Sequence, residues 1–241
     1  MRRWSETELA DLQAVAREVL ARASTGLPPI PGLEVGARSL EGPIPRLPEV
    51  EEGVVANAAQ KRRREFAGGR VLARSLLAEL GVPVEAIRRG ADRAPQWPAD
   101  AWGSITHTDD VVVAAVGRAD GSTFGIDLEG KAPLGRELWS HVLVPAELEA
   151  VGGDGKLAKV VFCAKEAFYK AQFVHTGALL DFLHVRLSLD VGTRTFVVRE
   201  IDHSAAPHLP RPIQGAWAEV GPYVFAAARV SASSEAGTPS R

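Results

Sequence analysis

Phe-Cys-Ala-Lys-Glu-Ala-Phe-Tyr-Lys at residues 162–170 and Phe-Gly-Ile-Asp-Leu-Glu at residues 124–129 are the two most informative stretches of the chain. At 100° per residue the first stretch predicts a helix on which Lys159, Cys163 and Lys170 lie within roughly 60° of Glu166. The same side carries the aromatic residues Phe162, Tyr169 and Phe173. The opposite side is apolar and carries Leu157, Val160, Val161, Ala164, Phe168 and Ala171. The pattern predicts an amphipathic helix whose charged face is lined by aromatic rings.

A simpler interpretation of this helix is a solvated face with an i,i+4 pair between Glu166 and Lys170. The helix alone favours that interpretation. The aromatic residues on the polar side argue against it, because a fully solvated face has little use for them.

The stretch at residues 124–129 alternates as a strand does, which places Asp127 and Glu129 on one face about 7 Å apart. Two carboxylates this close repel each other, and Mg²⁺ is the natural counter-ion because hard cations prefer oxygen ligands. A D-x-E pair alone is also compatible with an edge strand that carries two solvent-facing acids.

Both stretches match signatures of a known family, and the match continues upstream. G-I-D-x-E followed by F-x-x-K-E-A-x-x-K resembles the paired motifs of the 4′-phosphopantetheinyl transferases. K-R-x-x-E-F-x-x-x-R at 61–70, R-x-P-x-W-P at 93–98 and G-S-x-T-H at 103–107 resemble elements of the branch that serves siderophore and mycobacterial lipid synthesis. Motifs in this order are far more specific than any one of them.

The resemblance implies an α+β fold of two pseudo-symmetric subdomains with coenzyme A bound in the cleft between them. We expect an N-terminal subdomain over 1–118 and a C-terminal subdomain over 119–241, with the seam near Gly117 to Ser122. Because one chain then holds a pseudo-dimer, a monomer is expected.

The resemblance also implies a reaction, the transfer of 4′-phosphopantetheine from coenzyme A to a serine of an apo acyl or peptidyl carrier protein, with release of 3′,5′-ADP. The implied Mg²⁺ ligands are Asp127, Glu129 and Glu166. Glu166, directly or through a metal-bound water, is the candidate acceptor of the serine proton, and Lys165 and Lys170 are the candidate cations on the pyrophosphate. The remaining implied coenzyme A contacts are Arg62, Arg70, Arg89, Thr106, His107 and Asp127.

Two features of the G-S-x-T-H element leave alternatives open. His107 without its motif would be interpreted as a hydrogen-bonded core histidine at a strand end. Relatives in this branch often continue with C-x-G-Y, whereas this chain continues with Thr108, Asp109 and Asp110. Two acids beside a phosphate site are unfavourable, so we expect them to point away from it.

Two other functions use the same residues. A Mg²⁺-dependent phosphoesterase would bring water to the three acids instead of a carrier serine, and a non-catalytic module would bind coenzyme A or a carrier without turnover. The segment at 134–143 mixes apolar groups with the basic Arg136, and it is a candidate docking surface for an acidic carrier helix; a buried connecting helix is the alternative.

Composition excludes several classes of protein. A net charge of −2 over 241 residues argues against general nucleic-acid binding. A single cysteine, Cys163, excludes an intrachain disulfide and fits a reducing compartment. We interpret it as a packing residue, because an acidic neighbour raises the pKa of a thiol. The chain shows no membrane-spanning apolar stretch and no signal-peptide pattern, so a cytoplasmic location is expected.

The remaining pattern predicts elements along the chain. Helices are expected at 6–22, at 56–80, after Pro145 and around Glu166, and strands at 111–116, 124–129, 185–189, 195–199 and 223–229. Residues 26–48 are expected to be irregular or to form short extended pieces, and the tail at 231–241 to be disordered. No function is predicted for the helix at 6–22.

Overall fold

The computed structural model describes residues 2–202, 209 and 212–231. Its α-helices are α1 (Glu6–Ala23), α2 (Glu49–Val55), α3 (Gln60–Glu79), α4 (Trp139–Val142), α5 (Pro145–Val151) and α6 (Gly155–Thr176). Its strands are β1 (Glu34–Ser39), β2 (Ala101–His107), β3 (Val111–Arg118), β4 (Thr123–Gly130), β5 (Val185–Asp190), β6 (Thr195–Ile201), β7 (Ile213–Val220) and β8 (Tyr223–Val230). The predicted α+β class is confirmed.

The strands form two antiparallel sheets. A three-stranded sheet has the order β1-β3-β2, and a five-stranded sheet has the order β4-β8-β7-β6-β5. The long helix α3 packs on the first sheet, and the long helix α6 packs on the second. The first sheet ends at Arg118 and the second begins at Thr123, so the chain passes from one to the other through a four-residue turn, residues 119–122.

Two hydroxyl groups join the sheets where β2 lies beside β4. The backbone N–H of Ile126 donates to Ser104 Oγ at 3.1 Å, and that of Leu128 donates to Thr106 Oγ1 at 3.0 Å. Buried backbone donors need partners, and here side chains of β2 replace a strand-to-strand ladder. The Ser and Thr of the G-S-x-T-H element therefore hold β4 against the N-terminal half.

Helix α6 lies unusually close to β4, and Gly125 makes this approach possible. A Cβ atom at Gly125 would lie 1.9 Å from the carbonyl oxygen of Ala167 and 2.5 Å from the backbone nitrogen of Ala171. Any larger residue would push the helix away from the strand. The charged face of α6 is therefore half-buried beside β4, where Lys170 pairs with Asp127 and Lys159 with Glu129.

The N-terminal helix α1 contacts both sheets. Ser5 caps it and forms a capping box with Glu8. Its buried apolar face includes Leu12 and Leu20 and packs against β1, β7 and β8. The helix that received no functional prediction thus bridges the two halves of the molecule.

The structure corrects several boundaries. The predicted helix at 56–80 begins only at Gln60, because the extended backbone of Ala59 interrupts it, and Glu49–Val55 forms the separate helix α2. Strand β7 was not predicted at all, and β1 lies within a stretch expected to be mostly irregular. The tail at 232–241 lies outside the described residues.

The predicted docking segment at 134–143 has one buried and one exposed side. Leu134, Trp139, Val142 and Leu143 belong to the core of the second sheet, and Arg136 packs over the Trp139 ring. Arg136, Glu137, Leu138, Ser140 and His141 are exposed, so a docking role for this segment stays a prediction.

None of the helices described here is both long and apolar enough to cross a membrane.

Candidate active site

A cluster of carboxylates and lysines lies where α6 meets β4. Lys170 Nζ donates to Asp127 Oδ1 at 2.7 Å and to the carbonyl oxygen of Ile126 at 3.0 Å. Thr106 Oγ1 donates to the same Asp127 oxygen at 3.1 Å. The other oxygen, Asp127 Oδ2, is buried and has no hydrogen-bond partner among the described residues. A buried carboxylate oxygen without a partner is costly, which marks this position as one prepared for a further ligand.

The electrostatics of the cluster follow from burial and from mutual repulsion. Burial, and next the charge of Asp127, raises the pKa of Glu129 and the pKa of Glu166. Burial opposes the charged form of Lys170, but the ion pair with Asp127 outweighs that cost and raises the pKa of Lys170. No hydrogen bond to the Glu166 carboxylate is found within the described part of the chain. Glu166 is therefore the member best placed to accept a proton or bind a cation.

The three carboxylates fit a hard cation by chemistry, although they do not converge on one point. Among the described residues, no three His, Cys, Asp or Glu side chains are arranged as a ready metal site. Glu129 instead pairs with Lys159, whose Nζ lies 3.3 Å from Glu129 Oε2. The free Asp127 oxygen and the raised pKa values of its two neighbours nevertheless indicate that a positive charge would be stabilised here.

Lys165 lies apart from this cluster. Its Nζ is 2.7 Å from Glu147 Oε2 and donates to the carbonyl oxygens of Val142 and Phe182, both at 2.8 Å. Only 2% of the Lys165 side chain is exposed. Burial lowers the pKa of Lys165, although Glu147 opposes the shift. Lys165 anchors α6 in this structure, and its predicted contact with coenzyme A stays a prediction.

An arginine-rich cavity of about 510 Å³ opens on the N-terminal side. Its lining includes Arg62, Arg70, Arg89, Arg93 and His107. The sequence pattern named all of these except Arg93, which belongs to the quoted R-x-P-x-W-P element but received no role. Arg93 has φ of 72°, a backbone conformation that is costly for a residue with a side chain and recurs at binding sites.

Arg70 is the buried member of this group. Its guanidinium carbon lies 4.8 Å from the centre of the Phe66 ring, and its Nε has no hydrogen-bond partner among the described residues. Burial lowers the pKa of Arg70 to about 10. Arg74, Arg62 and Arg89 add to the shift, whereas Glu51 opposes it. A cation this desolvated and this close to other cations would be stabilised by an anionic ligand.

His107 stands at the meeting point of two cavities. Its Nε2 lies 3.3 Å from Arg62 Nη1 and 3.8 Å from Glu65 Oε2. Burial lowers its pKa, despite the opposing charge of Glu65. A second cavity, of about 640 Å³, shares His107 and Glu65 with the arginine cavity and continues to Glu129 and Tyr223. His107 therefore connects the arginine side to the carboxylate side.

The two acids after His107, Asp109 and Asp110, do not line the arginine cavity, as expected, but both line the second cavity. Asp109 is exposed and pairs with Lys61, whose Nζ lies 2.6 Å from Asp109 Oδ1. Asp110 is buried and accepts hydrogen bonds from Tyr223 Oη at 2.7 Å and 2.9 Å and from Thr108 Oγ1 at 2.7 Å. Asp110 thus ties the end of β2 to the start of β8.

A smaller cavity of about 190 Å³ lies beside Glu166. Aromatic and aliphatic side chains make up most of its wall, including Phe168, Tyr169, Leu180 and Phe182. Cys163 does not reach any of these cavities. It is buried against the backbone of Asp127, and burial raises its pKa well above the usual value, which confirms the packing role.

Comparison with known proteins connects this geometry to a family. A model of the N-terminal domain of 4′-phosphopantetheinyl transferases matches residues 50–117, and the 4′-phosphopantetheinyl transferase superfamily model matches residues 123–226. The chain is 36% identical over 182 residues to the 4′-phosphopantetheinyl transferase Svp of Streptomyces mobaraensis, which covers 73% of this chain and 71% of Svp.

Two further relatives match shorter regions. The chain is 36% identical over 149 residues to the 4′-phosphopantetheinyl transferase PptT of Mycobacterium tuberculosis, covering 60% of this chain and 65% of PptT. It is 37% identical over 134 residues to enterobactin synthase component D of Escherichia coli K12, covering 52% of this chain and 63% of that protein. The matched residues include both halves of the cleft, and the chain belongs to the 4′-phosphopantetheinyl transferase superfamily, in the branch of these relatives.

Proposed function

We propose that this protein transfers the 4′-phosphopantetheine arm of coenzyme A to a serine of an apo acyl or peptidyl carrier protein and releases 3′,5′-ADP. One observation carries the proposal beyond family membership. The arginine pocket and a second cavity that reaches Glu129 of the carboxylate cluster share His107 and Glu65, where the two sheets meet. Coenzyme A has one end that must be held and a pyrophosphate that must react, and the two halves of this cleft suit those two tasks.

The arginine pocket binds the end of coenzyme A that does not react. Arg62, Arg70 and Arg89, with His107, surround the 3′-phosphate and adenine end, and Arg93 is added to this group. Arginine suits the task because its planar fork gives two donors to one phosphate. The buried Arg70 supplies the largest part of the affinity, since an anion relieves its desolvation.

The carboxylate cluster performs the transfer. The serine oxygen forms a bond to the phosphorus that bears the pantetheine arm, and the bond from that phosphorus to the bridging oxygen of 3′,5′-ADP breaks. Glu166 accepts the serine proton, for which its raised pKa suits it. Lys170 stabilises the oxygens that become more negative as the bond breaks, and Asp127 holds Lys170 in place.

Mg²⁺ is the cofactor that we propose for the same cluster. Asp127, Glu129 and Glu166 would hold it, and it would draw negative charge from the pyrophosphate. Thr106 orients Asp127 by a direct hydrogen bond and leaves Asp127 Oδ2 free for the metal. The contacts of Lys165 and Thr106 with coenzyme A stay predictions, and in the described structure the two residues hold α6 and Asp127.

The apolar cavity beside Glu166 suits the uncharged part of the pantetheine arm. Its wall is mainly aromatic and aliphatic, whereas the arginine pocket suits the charged end. A coenzyme A molecule that spans both would present its pyrophosphate near His107 and Lys170. We also propose that the protein works as a monomer in the cytoplasm, because a single chain supplies both halves of the cleft for a coenzyme A-dependent reaction.

The test is intact-protein mass spectrometry of several apo-carriers incubated with the protein, coenzyme A and Mg²⁺. The expected result is a gain of one phosphopantetheine on at least one carrier, and none with a serine-to-alanine carrier. Hydrolysis of coenzyme A without any gain would favour a phosphoesterase. Binding of coenzyme A with neither outcome would favour a non-catalytic module.

A further inference from the structure

Glu51 is a fully buried carboxylate behind the arginine pocket, and both of its oxygens are occupied. Its exposed fraction is 0%. Oε1 accepts a hydrogen bond from the backbone N–H of Ile87 at 2.7 Å, and Oε2 forms an ion pair with Arg74. Glu51 does not line the cavity itself. A buried charge is retained at a cost in desolvation, so its contacts deserve a specific explanation.

The contacts of Glu51 lead to three walls of the pocket. Glu51 belongs to α2, which contributes Val54 and Val55 to the lining. Arg74 lies one turn after Arg70 on α3. Ile87 lies two residues before Arg89, which begins the segment that carries the second pair of arginines.

That segment is itself held in a hairpin. Arg89 pairs with Pro95 in an isolated bridge, and the N–H of Gln96 donates to the carbonyl oxygen of Arg88 at 2.9 Å. Fixing Ile87 therefore fixes the base of a hairpin that presents Arg89 and Arg93 to the cavity. One carboxylate thus connects both groups of arginines.

Charge supports the same role. Arg74, Arg62 and Arg89 all disfavour the charged form of Arg70, and Glu51 is the acid that opposes them. A fixed negative charge behind the wall reduces the repulsion among the arginines that face the cavity.

We propose that Glu51 is a positioning residue for the binding of coenzyme A: it sets the spacing between the arginines of α3 and those of the hairpin that begins at Ile87, and so shapes the site for the 3′-phosphate. This inference rests on the proposed function. It differs from a general role in stability, because a positioning role affects the 3′-phosphate selectively.

The experiment measures binding of adenosine 3′,5′-bisphosphate and of 5′-AMP by isothermal titration calorimetry, since the two ligands differ only in the 3′-phosphate. Glu51→Gln keeps an acceptor for Ile87 and removes the charge. We expect it to weaken adenosine 3′,5′-bisphosphate about tenfold and 5′-AMP by less than about twofold. Glu51→Ala should have the larger effect. The matched control is Glu52→Gln on the same helix, whose partner Arg63 is outside the pocket, and it should change neither affinity.

A double variant tests the mechanism. Glu51→Gln with Arg74→Met removes both charges of the pair, and it should recover part of the lost affinity because no buried charge is then left unpaired. In turnover, Glu51→Gln should raise KM for coenzyme A while kcat and the carrier KM stay within about twofold of wild type.

Equal losses for the two nucleotides, or no loss for either, would overturn the proposal. So would unfolding of Glu51→Gln at the assay temperature, because a residue that only places pocket walls is not required for the whole fold. The proposed function fails separately, if wild-type protein binds adenosine 3′,5′-bisphosphate but modifies no carrier.

Discussion

The two halves of the cleft handle charge in opposite ways. On the N-terminal side, arginines on α3 and on a hairpin face one cavity, and buried Arg70 has an Nε without a partner. On the C-terminal side, acids and lysines alternate, and Asp127 with Lys170 and Glu129 with Lys159 are already paired. The first half carries an excess of positive charge, which an anionic ligand would balance. The second half has an internal balance that a metal and a reacting phosphate would rearrange.

The contrast in charge separates residues that should affect binding from residues that should affect the reaction. Interactions with a group that does not react are similar in the ground state and the transition state, so they change KM. Interactions with oxygens that gain charge during the reaction change kcat. Substitutions in the arginine half should therefore change mainly KM, and substitutions in the carboxylate half should change mainly kcat.

The largest effect is expected at Asp127. Asp127→Ala should lower kcat by about a thousandfold or more, because it removes a proposed metal ligand and the partner of Lys170. It should also destabilise the metal-free protein by about 3 kcal/mol, since Lys170 is left partly buried and unpaired. Kinetics with saturating substrates and thermal unfolding in EDTA provide the measurements.

Glu129→Ala is the matched control for that stability change. From the repulsion between two acids on one strand, removing either one is expected to leave the stability of the metal-free protein unchanged or higher. In the structure, however, the two acids differ in burial. Glu129 is partly exposed, and burial and the charge of Asp127 raise its pKa, so removing it should cost little stability. Transfer should still be abolished, because Glu129 is a proposed metal ligand. Equal destabilisation by both variants would show that the ion pair between Asp127 and Lys170 does not determine the stability of the metal-free protein.

The next largest effect is expected at Lys170. Lys170→Ala should depress kcat about a hundredfold and raise KM for coenzyme A much less, because the ammonium group faces oxygens that gain charge. The loss should persist with 3′-dephospho-coenzyme A, which retains the pyrophosphate. Steady-state kinetics with both substrates measure this, and a loss confined to KM would place Lys170 in the binding half.

Arg70 should show the reverse behaviour. Arg70→Ala should raise KM for coenzyme A by a penalty of about 1.5–3 kcal/mol with only a modest fall in kcat, as for a lost hydrogen bond to a charged group. With 3′-dephospho-coenzyme A the penalty should shrink markedly. If Arg70→Ala and Lys170→Ala show the same changes in kcat and KM with both substrates, the division between the two halves is wrong.

Local sequence patterns predicted most of this arrangement. The period of 3.6 placed Glu166 and Lys170 on one face of a helix, and strand alternation placed Asp127 beside Glu129; the structure confirms both the helix and the strand. What the charged face would meet could not be read from periodicity. It meets β4, because Gly125 allows close approach, and contacts between elements distant in sequence are not encoded in a local pattern.

Lys165 is a second residue whose contact could not be predicted from a local pattern. Its motif places it next to Glu166, but the helix turns successive side chains by 100°, and Lys165 therefore points to Glu147 on α5. Thr106 was expected at the substrate, which stays a prediction, and its hydrogen bond to Asp127 could be foreseen only by knowing that β2 lies beside β4. Arg93 was visible in its motif, but its entry into the cavity depends on a hairpin and a positive φ that sequence alone did not indicate.

The smallest effect is expected where the two halves are tied together. Tyr223→Phe removes the hydroxyl that donates to Asp110, and it leaves that buried carboxylate with Thr108 as its remaining side-chain donor. Burial, and next the hydrogen bond to Asp110, raises the pKa of Tyr223 to about 12, so the phenol is a donor throughout the working range.

The loss of this hydrogen bond should cost about 1–2 kcal/mol of stability, the value for one hydrogen bond to a charged acceptor. Because Asp110 lies three residues after His107, the KM for coenzyme A should rise by about twofold or threefold, with kcat unchanged. Tyr169→Phe is a control for stability only, since Tyr169 stacks on Phe173 and lines the cavity proposed for the pantetheine arm. Thermal unfolding of both variants and coenzyme A kinetics of Tyr223→Phe are the measurements. A fall in kcat for Tyr223→Phe that matches any rise in KM would mean that the connection through Asp110 places reacting groups, and that the two halves are less independent than their charges suggest.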